Sequence, residues 1–200
     1  TAAVMRQALG GEGLPLGNVE DNCDATCVAL DGGAARADLV VASGGVSVGE
    51  EDHVKPAVEK LGSLEMWKIA IRPGKPVAFG HIHDTPFVGT PGNPVSLFVT
   101  FLLFARPFIL KMQGSDKQLP TPLTAVAAFD WPKPDKRREF ARARLEIGED
   151  GKARVSTFPS RSSGVLSSVA WANGLAVIQE QQTLKQGDPV QFLSFDELLS

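Results

Sequence analysis

Asp38-Leu39-Val40-Val41-Ala42-Ser43-Gly44-Gly45-Val46-Ser47-Val48-Gly49 is the stretch that decides how this chain is read. From Asp38 to Ala42 the run is short and almost wholly apolar, as in a strand buried on both faces of a parallel sheet. A loop nearly bare of long side chains, Ser43 to Gly49, follows at once, and residues 52–61 (DHVKPAVEKL) then read as a helix. Pro56 falls in its first turns, where proline is tolerated. A strand that passes through a glycine loop into a helix is a unit of an open α/β sheet, and such sheets bind ligands beyond the carboxyl ends of their strands. Backbone N–H groups in the loop can approach an anion at the helix N-terminus. The loop has neither the GKS or GKT ending of a P-loop nor the dinucleotide fingerprint, and a merely tight turn would also use these glycines.

Working outward, residues 1–9 keep helical spacing up to the stop at Gly10-Gly11, Leu14 to Val19 can form a short strand, and Asp24 to Ala35 a helix. Downstream, Leu64 to Ile71 is strand-like. PVAFGHI (76–82) and TPFVGT (85–90) read as two strands joined by the turn HDT, and Asn93 or Pro94 opens a long apolar helix to Met112. Together these make an α/β layer pattern. Beyond Gly114 the grammar changes to the proline-rich LPTPLTAVAAFDWPKPDKRR, then to short alternating runs at 139–147, 152–158, 174–179 and 189–193, which predict a small all-β module with the boundary near residues 113–120.

With 43% hydrophobic and 22% charged residues among 200, the chain can bury a real core and does not read as disordered. A formal net charge of −3 argues against nucleic-acid binding, so any anion site must be local. Cys23 and Cys27 are four apart on an expected helix and form no disulfide framework, which points to reduced thiols and a cytoplasmic setting. The most apolar run, Val95 to Leu110, is broken by Arg106 and Pro107 and falls short of the ~20 residues of a membrane span. A buried helix is expected there, with no membrane association. The N-terminal residues TAAVMRQALGG carry no signal-peptide pattern.

Three further motifs carry candidate chemistry. Glu50, Glu51 and Asp52 follow the glycine loop, and three carboxylates would repel a bare phosphate unless a divalent cation such as Mg²⁺ intervened, with Asp52 its natural ligand. Alternatively these acids favour the positive end of the helix. In Arg72-Pro73-Gly74-Lys75-Pro76 a stiff loop carries two cations three residues apart. A planar fork and a point charge could together hold a tetrahedral dianion such as molybdate or phosphate; a solvated turn is the plainer reading. In Thr90-Pro91-Gly92-Asn93-Pro94-Val95-Ser96, Asn93 can cap the following helix, Pro94 occupy its first position and Ser96 sit in its first turn, with free N–H groups left for a ligand. His81 and His83 lack a third metal ligand. Lys133, Lys136, Arg137 and Arg138 read as a solvated face able to lend one arginine to an anion pocket. Trp67, Trp131 and Trp171 read as packing residues.

In order, ADLVVASGGVSVGEEDHV, WKIAIRPGKPVAFG and VGTPGNPVSLFVTF resemble the molybdopterin molybdenumtransferase family, bacterial MoeA and the gephyrin E domain. The likeness continues through NVEDN, RREFAR and SSGVLSSVAWANGLAVI, so it covers nearly the whole chain. It implies a three-layer, MogA-like molybdopterin-binding α/β domain with a mostly parallel sheet over residues 1–114, then a small all-β, barrel-like domain over 115–200. The implied reaction joins molybdate to adenylylated molybdopterin, with a divalent cation such as Mg²⁺, yielding molybdenum cofactor and AMP.

Residue by residue, the resemblance implies that Ser43, Gly44, Gly45, Val46, Ser47 and Gly49, with Pro91, Gly92, Asn93 and Pro94, bind the pterin substrate. Asp52 and Asp21 would be acidic catalytic residues and metal ligands. Arg72, Lys75, Pro76 and Ser96 would meet molybdate, joined by Arg137 and Ser168 or, one residue along, by Arg138 or Ser167. Arginine stands at 72 where the family commonly has lysine. The family's further N-terminal domains and its TGDE-like first strand are not in this sequence, so the chain alone is expected to have little activity. A homodimer and a molybdopterin adenylyltransferase partner are also implied. The alternatives are a molybdopterin adenylyltransferase, which usually lacks the β module, and a gephyrin-like scaffold.

Overall fold

A computed structural model describes residues 9–20, 22–45 and 53–200, with the backbone alone for 66–68. The chain forms two compact units, one of residues 1–69 with 74–100, the other of residues 70–73 with 101–200.

In the first unit, helix α1 (Cys23–Ala34) starts where the Asn22 side chain accepts a hydrogen bond from the Ala25 amide at 2.8 Å. Strand β1 (Val40–Ser43) and helix α2 (Val54–Leu61) follow, then β2 (Gly62–Lys68), β4 (Pro76–Ile82) and β5 (Thr85–Thr90), before α3 (Pro94–Thr100). The sheet order is β1-β5-β4-β2. Only β1 with β5 is parallel among these pairings, so the sheet of the described residues is mixed rather than mostly parallel. The reason is local: the turn at His83-Asp84 reverses the chain, and a connection that short joins only antiparallel strands. Strand periodicity turns Val40, Ala78, Ile82 and Phe87 to one face, where Cys27, Leu30 and Ala34 of α1 and Ala57 and Val58 of α2 cover them. Leu14 to Val19, expected as a strand, has no regular structure, and Leu14, Leu16 and Val19 are exposed. Among the described residues no strand pairs with this segment, so its apolar residues gain no sheet to pack on.

The second unit contains β3 (Ile71–Arg72) and five strands: β6 (Leu123–Ala127), β7 (Arg138–Ile147), β8 (Ala153–Thr157), β9 (Gly174–Ile178) and β10 (Pro189–Ser194). The pairings β7-β8-β6-β10-β9 return to β7 and close a barrel, which removes its sheet edges. β3 adds in parallel to the start of β7. The strand predicted to run from Leu64 to Ile71 is therefore split, its last residues serving the other sheet. β6 lies in the proline-rich stretch where no strand was expected; Pro120 and Pro122 stop short of it, so the ladder keeps its donors. Ala125, Ala127, Ala141, Ala143, Ala176 and Val155 fill the centre with Trp131, Ile178, Val190 and Phe192. Small side chains suit so narrow a barrel.

Pro94–Met112 is, among the described residues, the one helical stretch long and apolar enough to cross a membrane, and 56% of it is buried within the protein. Phe101–Ala105 widens to a π-helix just before α4 (Arg106–Met112). Pro107 explains the widening, since its ring would clash with the carbonyl four residues back and it has no N–H to donate. Arg106 is 4% exposed and donates to the carbonyls of Gln118, Glu197 and Ser200 at 2.8, 2.8 and 2.9 Å. A charge inside an apolar helix is thus absorbed by backbone oxygens.

Candidate functional site

In the first unit the carboxyl ends of β1 and β5 lie side by side in parallel register, Ser43 opposite Thr90. The glycine loop and the PGNP turn leave the sheet at that one edge. They are latched together: the Gly44 amide donates to the Thr90 carbonyl at 2.9 Å, and the Thr90 hydroxyl donates to the Ala42 carbonyl at 3.0 Å. Gly44 and Gly45 have φ of 83° and 71°, a region that disfavours any side chain. A Cβ on Gly92 would stand 3.5 Å from the Gly44 Cα, so the two turns touch backbone to backbone.

Ser43, Gly92 and Asn93 are exposed, whereas Thr90 and Pro91 are buried. α3 begins at Asn93, whose carbonyl accepts from the Leu97 amide at 2.8 Å, with Pro94 at the first helical position. Ser96 is 5% exposed and its carbonyl accepts from the Thr100 hydroxyl at 2.7 Å. Lys75 is exposed, and Pro76 opens β4 opposite Lys68. Among the expected site residues, Asp21, Val46, Ser47, Gly49 and Asp52 lie outside the described residues, so the acidic and metal-binding part of the expectation is not visible.

The second unit gathers arginines around two carboxylates. Asp135 accepts from the Arg137 amide at 3.0 Å, from Arg137 Nε and Nη2 at 3.3 Å each, and from Arg72 Nη1 at 3.4 Å. Arg72 reaches this group because β3 pairs with β7, setting Arg72 opposite Glu139. Glu139 is 1% exposed; Arg161 donates to it and Arg72 Nε lies 3.9 Å away. The Arg161 guanidinium also sits 4.5 Å over the Trp131 ring. The side-chain hydrogen bond from Arg137, then its backbone N–H, holds the Asp135 carboxyl down to about 2 despite the opposing effect of burial.

Beside this group, Arg142 is 2% exposed and donates through Nε to the Ser168 hydroxyl at 3.0 Å and through Nη2 to the carbonyls of Ser160 and Ser162 at 2.7 and 3.1 Å. Burial pushes its pKa below the usual arginine range, Glu139 opposes that, and the charge of Arg72 reinforces it. Ser168 is wholly buried, and its hydroxyl donates a hydrogen bond to the Val165 carbonyl at 2.6 Å. Arg137 and Arg72, both picked from sequence, therefore meet on one carboxylate, while Ser168 lies behind Arg142. Counted with Arg161, four guanidinium groups face two carboxylates and leave two positive charges.

Four members of this group, Asp135, Glu139, Arg142 and Arg161, were not picked out from sequence. Alternation along RREFARAR would have set Glu139 on the face of Ala141 and Ala143, which line the barrel. Arg161 gave no such signal, because it meets Glu139 across a gap of 22 residues. Of the remaining basic run, Lys133 and Lys136 are exposed, and Arg138 pairs with Glu180 at 3.3 Å. Trp131 and Trp171 lie beneath arginines. His83 contacts Asp31 at 2.7 Å, and no group of three or more His, Cys, Asp or Glu among the described residues could hold a metal ion. Cys23 and Cys27 are free thiols, the latter pushed up in pKa by burial first and then by Cys23.

An α/β unit in which two glycine-rich turns meet at the ends of adjacent parallel strands, followed by a closed β-barrel that carries an arginine group, defines a class of two-unit α/β-plus-barrel proteins. Residues 2–111 match the family described as probable molybdopterin binding domain, and residues 124–195 match the MoeA C-terminal region, domain IV. The chain belongs to the molybdopterin molybdenumtransferase family of MoeA and gephyrin. It is 37% identical over 201 residues to the molybdopterin molybdenumtransferase of Haemophilus influenzae, covering 100% of this chain and 50% of that protein. Gephyrin of Dictyostelium discoideum is 33% identical over 180 residues, with 78% of this chain and 25% of that protein covered. A solved molybdopterin biosynthesis MoeA protein from Pyrococcus horikosii superposes with a TM-score of 0.76 at 29% identity, covering 96% of this chain and 46% of that one. The chain spans about half the length, or less, of the curated relatives it matches first.

Proposed function

We propose that the chain supplies part of a site that inserts molybdenum from molybdate into adenylylated molybdopterin, releasing AMP. The observation that carries the reading is the parallel pairing of β1 with β5, which brings the 43–45 and 91–94 turns edge to edge in a chain of this family. The backbone N–H groups of these turns hold the pterin's anionic end without competing side chains. Arg72, Lys75, Pro76, Ser96 and Arg137 serve molybdate, with Ser168 acting through Arg142. A divalent cation, Mg²⁺ in this reading, would be held by Asp52 and Asp21 and would neutralise the pyrophosphate. In this reading the functional domains divide as 1–114 and 115–200, and the protein works in the cytoplasm as a homodimer beside a molybdopterin adenylyltransferase.

The barrel favours insertion over adenylylation, since residues 124–195 match the MoeA C-terminal region. Calorimetry tests the site against a scaffold role. Lys75 is exposed, so Lys75→Glu leaves the fold intact. Molybdate affinity should fall at least tenfold, while the melting temperature holds. Unchanged affinity would remove Lys75 from the site. AMP release from adenylylated molybdopterin with Mg²⁺ and molybdate should be slow for this chain alone; failure to bind that substrate at all would sink the reading.

A further inference from the structure

The two carboxylates in the arginine group are held very differently. Glu139 has 2% of its side chain exposed and is gripped by Arg161, whose plane rests on Trp131. Asp135 has 23% of its side chain exposed; the guanidinium groups that hydrogen-bond to it, on Arg72 and Arg137, are on side chains 35% and 34% exposed, and Arg161 Nη2 stands 3.8 Å off as a more distant ion-pair neighbour. Its guanidinium hydrogen bonds measure 3.3–3.4 Å, against roughly 2.7–2.9 Å for a tight charge-assisted pair. One acid is a fixed counter-charge; the other is loosely clasped by donors that an oxyanion needs.

We propose that Asp135 is a built-in stand-in for the substrate anion, occupying the forks of Arg72 and Arg137 until a tetrahedral dianion displaces it. The inference rests on reading Arg72 and Arg137 as anion-binding residues. While the clasp is closed it offsets one of the two arginine charges and holds both guanidinium planes ready, which lowers the repulsion between them. Entry of the dianion returns the carboxylate to water, and a singly charged competitor gains less from the same exchange because it restores only the charge that leaves. The clasp therefore lowers affinity for every anion and favours doubly charged ones.

Asp135→Asn keeps an oxygen for the Arg137 amide and removes the charge. Calorimetric titration with sodium molybdate, and separately with sulfate, at neutral pH should show at least tenfold tighter binding than the unaltered chain. Asp135→Glu, which keeps the competitor, should bind within about threefold of the unaltered chain, since tenfold would correspond to 1.4 kcal/mol. If the unaltered chain binds molybdate and Asp135→Asn binds no tighter, the stand-in role is overturned while the anion site survives. If neither binds, the anion site itself fails. Should the variant not fold, the unaltered chain labelled with ¹³C-aspartate decides: the Asp135 carboxyl resonance moves on adding sulfate if the clasp opens, and stays put if it does not.

Discussion

Replacing Ser168 by alanine isolates the hydrogen bond that sets Arg142. The hydroxyl accepts from Arg142 Nε at 3.0 Å and the residue is wholly buried. Losing it strands a charged donor away from water, which costs about 1.5–3 kcal/mol. The Val165 carbonyl is left satisfied, because the Ser168 amide still donates to it at 3.1 Å. Alanine returns a few tenths of a kcal/mol in helix propensity on Ser167–Trp171. The net loss is about 2 kcal/mol, or roughly 4–8 °C in melting temperature for a chain of this length. Urea denaturation of Ser168→Ala, Arg142→Met and the double variant gives the coupling directly. A loss under about 0.5 kcal/mol, or strictly additive single losses, would show that the pair is not coupled. Molybdate affinity should fall together with stability; an affinity loss without a stability loss would make Ser168 a direct contact instead.

Gly44→Ala and Gly92→Ala separate conformation from space at the paired turns. At Gly44, φ of 83° should cost about 1–2 kcal/mol, whereas at Gly92 a methyl meets Gly44 only at 3.5 Å and stability should change by less than about 0.5 kcal/mol. Gly92→Ala nevertheless fills the seam between the turns, so its affinity for adenylylated molybdopterin should drop tenfold or more; wild-type affinity would place the ligand elsewhere. Asp135 makes stability depend on acid. Its folded pKa of about 2 lies below the ordinary 3.8, so its contribution is complete above roughly pH 5 and fades as pH falls from about 4 to 2. The stability gap between the chain and Asp135→Asn should close over that window, and a gap independent of pH would contradict the clasp.

What was legible in the sequence follows the range of the forces involved. The hairpin of β4 and β5 was read to the residue because its pattern and its turn are local; α1, expected over Asp24 to Ala35, was read to within one residue at each end, while its Asn22 cap was not picked out. The pairing of the glycine loop with the PGNP turn was implied by two strands ending in glycine-rich turns before helices, although nothing local said that those strands would be neighbours. Signals failed where the partner lies far along the chain. Leu14–Val19 reads like a short strand but has no strand neighbour among the described residues, and β6, close to prolines, becomes a strand because β8 and β10 flank it. Arg72 was picked for its charge, yet its place is set by two residues of parallel pairing to β7, which no spacing rule foresees.

Charge balance explains why the arginine group needs acids at all. Two guanidinium groups about 5 Å apart repel by roughly 3 kcal/mol at an effective dielectric of 20, so four of them on one barrel would oppose folding. Glu139 removes part of that repulsion permanently, because burial and Arg161 hold it in place. A second fixed acid would lower the repulsion further but leave the donors of Arg72 and Arg137 permanently occupied. A partly exposed, more loosely bound acid meets both demands: it offsets the cations during folding and yields their donors afterwards. With Glu139 fixed and Asp135 released, four guanidinium groups face one carboxylate, and a dianion restores what Asp135 gave with one charge to spare. The doubly charged oxyanion is thus preferred by charge count before any detail of its geometry is considered.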